Sequence, residues 1–85
     1  MLEEVTCVEA YVLVNCKAGK SWEIAETALK IENVKMAHAV TGQYDIVAYI
    51  EFAGMDVLTD ILCKFQTMEG VQQTHTAVAI PPRLE

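Results

Sequence analysis

Hydrophobic residues along this chain follow two spacings, and each spacing marks a different kind of element. From Val8 to Asn15 the run is rich in Val, Tyr and Leu and reads as a strand, and Asp45 to Phe52 has the same character. Trp22, Ile24, Ala25, Ala28, Leu29 and Ile31 instead fall at helical spacing. Ser21 suits the N-cap of that helix, and Glu23 lies in its first turn, where the helix dipole favours a carboxylate. A second helix is clearer, since Met55, Leu58, Ile61, Leu62, Phe65 and Met68 recur on one face between Gly54 and Gly70. Strands follow both helices, at Val34 to Val40 and Val71 to Ile80, and Pro81-Pro82 end the last one.

The two halves echo each other at an offset of 37 residues. Ile31-Glu32-Asn33-Val34 aligns with Met68-Glu69-Gly70-Val71, and His38 aligns with His75. In both copies an apolar helix end meets Glu, then Asn or Gly, then a Val that opens a strand. Asn and Gly both suit a left-handed helix terminus. The element order is therefore β-α-β-β-α-β, a doubled βαβ unit. Right-handed crossovers put both helices on one face, giving an α+β, ferredoxin-like βαββαβ sandwich on a four-stranded antiparallel sheet. Its first and third strands are expected in the centre.

The strands are apolar on both faces. Val8, Ala10, Val12 and Val14 alternate with Glu9, Tyr11, Leu13 and Asn15, and Ile46, Ala48, Ile50 and Phe52 alternate with Val47, Tyr49 and Glu51. Only one set can pack on the helices. Tyr11, Leu13, Val47 and Tyr49 then lie in water unless a second sheet covers them, so the fold is expected to dimerise through the sheet. The alternative is a face that tolerates exposed aromatics. Composition supports self-association: 53% of the 85 residues are hydrophobic and the mean hydropathy is +0.26. A chain this short buries only roughly 60–65% of its unfolded surface, although Ala, cheap to expose, supplies much of the count.

Charge narrows the function. Six basic residues stand against twelve acidic ones, for a net charge of −6, and Lys17, Lys20, Lys30, Lys35, Lys64 and Arg83 are scattered. Direct nucleic-acid binding needs clustered cations and is not expected. No apolar run reaches the length of a membrane span, and the start Met-Leu-Glu-Glu is unlike a signal peptide, so a cytoplasmic protein is expected. Cys7, Cys16 and Cys63 are odd in number and lack metal-ligand spacing. Their apolar settings suit reduced core thiols, and no metal or cofactor is expected.

Thr41-Gly42-Gln43-Tyr44-Asp45, between the second and third strands, is the most informative loop. Gly42 permits close backbone approach or positive φ, and Asp45 can accept hydrogen bonds from loop amides or from an ammonium group. On turn chemistry alone it is a hairpin. Ala39-Val40-Thr41-Gly42-Gln43-Tyr44-Asp45-Ile46-Val47, however, resembles the signature of the Lrp/AsnC effector domain, also called the RAM domain. Tyr11 to Lys20 resembles that family's first strand and the turn into its first helix, and Glu69-Gly70-Val71 with Thr74 and Thr76 resembles its final helix-to-strand step.

The resemblance spans about Tyr11 to Ile80 and implies dimers through stacked sheets, with further assembly into octamers or decamers. It implies an amino-acid effector bound between dimers at Gly42, Gln43, Tyr44 and Asp45, with Thr74 and Thr76 from the last strand. Backbone amides near 42–44 would hold a carboxylate, and Asp45 or a threonine hydroxyl an α-ammonium. Thr74 and Thr76 equally suit ordinary β-branched strand positions. DNA-binding family members place a helix-turn-helix domain ahead of this module, whereas only about ten residues precede the first strand here. A single stand-alone domain over 1–85 is the expectation, with no catalytic residues. Two alternatives stand beside it. A small dimeric enzyme would use His38, His75, Asp45 or the cysteines, and a co-assembly partner of full-length relatives would need no ligand of its own.

Overall fold

A computed structural model describes residues 8–80, so Cys7 and the Pro81-Pro82 stop lie outside the described residues. The elements are β1 (Val8–Cys16), α1 (Ser21–Ala28), β2 (Val34–Ala39), β3 (Ile46–Phe52), α2 (Met55–Gln66) and β4 (Val71–Val78). The sheet runs in the order β2-β3-β1-β4, antiparallel at every junction. The ferredoxin-like arrangement expected from the repeat is the one observed, with β1 and β3 central. Among the described residues no helix is long and apolar enough to cross a membrane.

Strand periodicity decides what is buried. Ala10, Val12, Val14, Ile46, Ala48 and Ile50 have no exposed surface, and Phe52 has 2%. They meet Ile24, Ala25 and Ala28 of α1 and Leu58, Ile61 and Phe65 of α2 in a single core. Each large side chain so covered stabilises the fold by roughly 1.5–3 kcal/mol. The helix period places Leu58, Ile61 and Phe65 on one side of α2, and its charged ends suit the dipole, with Asp56 in the first turn and Lys64 in the last.

Both helices stop short of their periodic patterns, α2 at Gln66 with Met68 N–H turned onto the Phe65 carbonyl, and the first half departs further at its cap and at Asn33. α1 stops at Ala28, short of the periodic pattern, and Lys30 and Ile31 continue only in a tight turn onto the carbonyls of Thr27 and Ala28. Ser21 is the first helical residue, not the cap. Lys20 stands at the cap in a helical conformation with no side-chain cap bond, and its ammonium pairs with Glu23 at 3.5 Å. Gly70 does take positive φ (+95°), but Asn33 does not. Asn33 is drawn into the sheet instead: its Nδ2 donates to the Glu51 carbonyl at 3.0 Å, and Glu51 N–H donates to the Asn33 carbonyl at 3.1 Å. Two bonds to β3 anchor it in the turn that leads into β2.

Candidate functional site

The loop between β2 and β3 is fastened to the end of β1. Asn15 Nδ2 donates to the Gln43 carbonyl at 2.7 Å, and Cys16 N–H donates to Asp45 Oδ2 at 2.8 Å. Backbone bonds close the base: Asp45 N–H donates to the Val14 carbonyl at 2.9 Å, and Val40 N–H donates to the Asp45 carbonyl at 2.8 Å. Gly42 holds φ +117°, a conformation that side-chain-bearing residues rarely adopt. A Cβ there would touch nothing within 4 Å, so the glycine serves the turn's backbone and not a tight contact. Gln43 is exposed and Tyr44 half-buried. The rings of Tyr44 and His75 meet edge to face, centroids 5.5 Å apart.

One oxygen of Asp45 is therefore committed to the β1 amide, leaving Oδ1 for any other partner. The same carboxylate acts on its neighbour. Burial, and then the negative charge and hydrogen bond of Asp45, push the Cys16 thiol above its ordinary range. Cys16 is the buried thiol that its apolar setting suggested, but Cys63 is exposed on α2. Its helical position points away from the Leu58–Ile61–Phe65 face.

Within one chain, Gly42, Gln43, Tyr44 and Asp45 sit together with Asn15, Cys16 and His75. Thr74 and Thr76 do not join them. Thr74 pairs with Val14 and Thr76 with Val12, so both lie on the helix side of β4, while His75 lies on the other. Thr74 Oγ1 accepts a long bond from Gln66 Nε2 at 3.3 Å, beside a shallow cleft of about 290 Å³ lined by Gln66, Val71, Gln72, Gln73 and Thr74. Sequence reasoning did not single out Asn15, Cys16 or His75 as supports of the loop. Asn15 and Cys16 lay inside the Tyr11–Lys20 stretch, but only the β1–β3 register shows what they hold.

The face of the sheet away from the helices is arranged in cross-strand rows. His38, Val47, Leu13 and His75 form one row, and Met36, Tyr49, Tyr11 and Ala77 the next. The two histidines thus share a face, as their repeat positions implied, with Val47 and Leu13 between them. Tyr11 and Tyr49 pack at 5.5 Å between centroids, and Tyr49 donates from its hydroxyl to Glu51 Oε2 at 3.0 Å. Partial burial, then Glu51 and Glu9, drive the Tyr49 phenol well above its ordinary pKa. Among the described residues no three His, Cys, Asp or Glu side chains gather closely enough to hold a metal ion.

Comparison with known proteins agrees with this architecture. A family model described as the Lrp/AsnC ligand binding domain matches residues 9–82. The HTH-type transcriptional regulator FL11 of Pyrococcus abyssi is 32% identical over 76 residues, covering 89% of this chain and 50% of the regulator. The chain thus spans about half the length of the curated regulators it matches. The solved structure of TTHA0845 from Thermus thermophilus superposes with a TM-score of 0.84 at 25% identity, covering 92% of this chain and 99% of that one. FFRP-DM1 superposes with a TM-score of 0.80 at 34% identity, covering 86% of this chain and 99% of that one.

Proposed function

The chain belongs to the Lrp/AsnC ligand-binding domain family, and from that premise we propose that it is a non-enzymatic, cytoplasmic regulatory module that self-assembles and binds an amino acid. The observation that carries this reading is the fastening of the Thr41–Asp45 loop. Asn15 and Cys16 fix it from β1, so its backbone is ordered before any ligand arrives and binding loses less entropy. Exposed peptide groups at Gly42 and Gln43 suit a carboxylate, and Asp45 Oδ1 suits an α-ammonium. Thr74 and Thr76 enter such a pocket from a neighbouring dimer, which accounts for their separation from the loop within one chain. Dimers form by stacking the Tyr11, Leu13, Val47 and Tyr49 faces, and octamers or decamers follow from contacts between dimers.

Binding at a junction between subunits links ligand to assembly: an amino acid stabilises whichever oligomer completes its pocket. A ligand at about 100 times its Kd adds about 2.7 kcal/mol of stability. Titration calorimetry and thermal unfolding across the standard amino acids, with light scattering on the same samples, test the reading. A raised Tm and a change in mass for at least one amino acid are expected. No heat and no stabilisation across the whole panel would overturn the ligand assignment.

A second reading, co-assembly with helix-turn-helix relatives, draws on the match to half of each FL11 regulator. A partner sharing this half could present the same sheet face. Co-expression with such a regulator would give a mixed oligomer under this reading, and separate homo-oligomers would refute it. An enzyme is the poorer reading, since Val47 and Leu13 separate the two histidines in their row.

A further inference from the structure

A bulge sets the start of β4 apart from the other strands. Gln73 pairs with Asn15 and Val71 with Cys16, so Gln72 is an extra residue without a partner on β1. Such a residue bends its strand and re-aims the side chains beside it. The bulge lies on an edge strand, where the last helical residue of α2, Gln66, reaches Thr74. Gln66, Val71, Gln72, Gln73 and Thr74 line the cleft of about 290 Å³ at this point, so its polar side chains are three carboxamides and one hydroxyl. No charged side chain is in that lining. Lys20 pairs with Glu23 and Lys64 with Asp60, while Lys17 and Glu69 are exposed on the flanking turns.

The cleft also adjoins the anchor of the loop. Gln73 stands beside Asn15, whose Nδ2 holds the Gln43 carbonyl. Gln66 Nε2 and the half-buried Thr74 Oγ1 are 3.3 Å apart, long for a hydrogen bond and readily exchanged for a ligand.

We propose that this cleft reads the effector's side chain and selects a carboxamide, so that the ligand is an amino acid of the glutamine and asparagine class. The proposal rests on the amino-acid reading above, in which Thr74 faces the loop of a neighbouring dimer. That loop takes the carboxylate and ammonium common to every amino acid, and discrimination falls to the cleft. A primary amide offers one acceptor oxygen and two N–H donors, which the amides of Gln66 and Gln72 and the hydroxyl of Thr74 can answer. A charged side chain would give up water with no counter-charge in the lining, and an apolar one would leave the cleft's amides unpaired. A site that hydrogen-bonds a polar group rejects analogues lacking that group, which an apolar pocket does poorly.

Glutamate and methionine nearly match glutamine in size, so they isolate the chemistry. Titration calorimetry on the full chain, at concentrations where light scattering shows the assembled oligomer, would compare glutamine, asparagine, glutamate, methionine and lysine. Glutamine or asparagine is expected to bind about tenfold or more tightly than the other three. Gln66→Leu is expected to erase that preference and bring glutamine close to methionine. Thr74→Val, which keeps the volume and removes the hydroxyl, is expected to act in the same direction. Tightest binding of a charged or apolar amino acid, or a carboxamide preference that survives in both variants, would overturn the side-chain assignment and leave amino-acid binding standing. No heat from any amino acid overturns both, so the two failures are separable.

Discussion

The two faces of the sheet are cut from the same strands and the same kinds of side chain, yet they meet different surroundings. On the helix face Val12, Val14, Ile46 and Ile50 have no exposed surface. One residue along each strand, Tyr11 is 42% exposed, and Leu13, Val47 and Tyr49 are only half-buried. Residue type cannot explain the difference, because valine, leucine and tyrosine occupy the open face as firmly as valine and isoleucine occupy the covered one. Coverage does. Both crossovers turn the same way and lay α1 and α2 on one side, so no helix of the described residues covers the second apolar face. The contrast teaches that monomer stability is carried by one face of β1 and β3, and that the self-association proposed above falls to the other.

The sharpest way to break this comparison is to truncate one large residue on each side. Phe65→Ala removes a fully buried ring of α2 and is expected to cost about 3–5 kcal/mol in urea unfolding. Leu13→Ala is expected to cost about 1 kcal/mol or less at low protein concentration, with a growing penalty as concentration rises. Equal costs at high dilution would show that the open face already belongs to the monomer's core.

Where the two faces end, the loop adds a smaller effect. Asp45→Ala leaves the part-buried Cys16 amide without its carboxylate and is expected to destabilise by about 1–3 kcal/mol, whereas Asp45→Asn keeps an acceptor and most of that stability. If the two variants unfold alike, the Cys16 bond does not hold the loop, and the preorganisation on which the proposed ligand binding rests is lost with it.

The smallest effect sharpens the open face. Tyr49, ordinarily ionising at 10.0, is held protonated to higher pH in the folded chain, first by burial and then by Glu51 and Glu9. In the unfolded chain it loses its proton earlier. Above its ordinary value the unfolded state binds fewer protons, so stability falls as pH rises, while below that value this contribution is fully present. Cys16, ordinarily at 9.0 and likewise raised, acts in the same direction from a lower pH. Tyr49→Phe is expected to flatten the decline between about pH 9 and pH 11 without abolishing it, as followed by denaturation at stepped pH. An unchanged slope would mean that the phenol is solvated as freely as in the unfolded chain.

Much of the fold was legible in the sequence because its signals are local and repeated. Period-two runs placed β1 and β3, the Leu58–Ile61–Phe65 stripe placed α2, and Gly70 takes the expected positive φ, though in the turn into β4 and not at the helix end, which falls at Gln66. Legibility failed where tertiary bonds outweighed local preference. Asn33 resembled Gly70's counterpart in the repeat, but its amide and carbonyl joined β3. Trp22 and Leu29 had the right spacing for a core, yet α1 sits at the sheet's edge, where β2 has no further strand beside it among the described residues.

By itself, then, the amino-acid order determined the element sequence, the central pair of strands, and the presence of two apolar faces where one core needs only one. Those properties depend on spacing within about a dozen residues, which the backbone periods of helix and strand read directly. Tertiary structure alone decided that Asn15 and Cys16 fasten the loop, that Thr74 and Thr76 lie on the other side of β4, and that α1 leaves an apolar rim uncovered. Each follows from register between segments far apart in sequence, and a register shift of one residue would turn every such side chain to the opposite face.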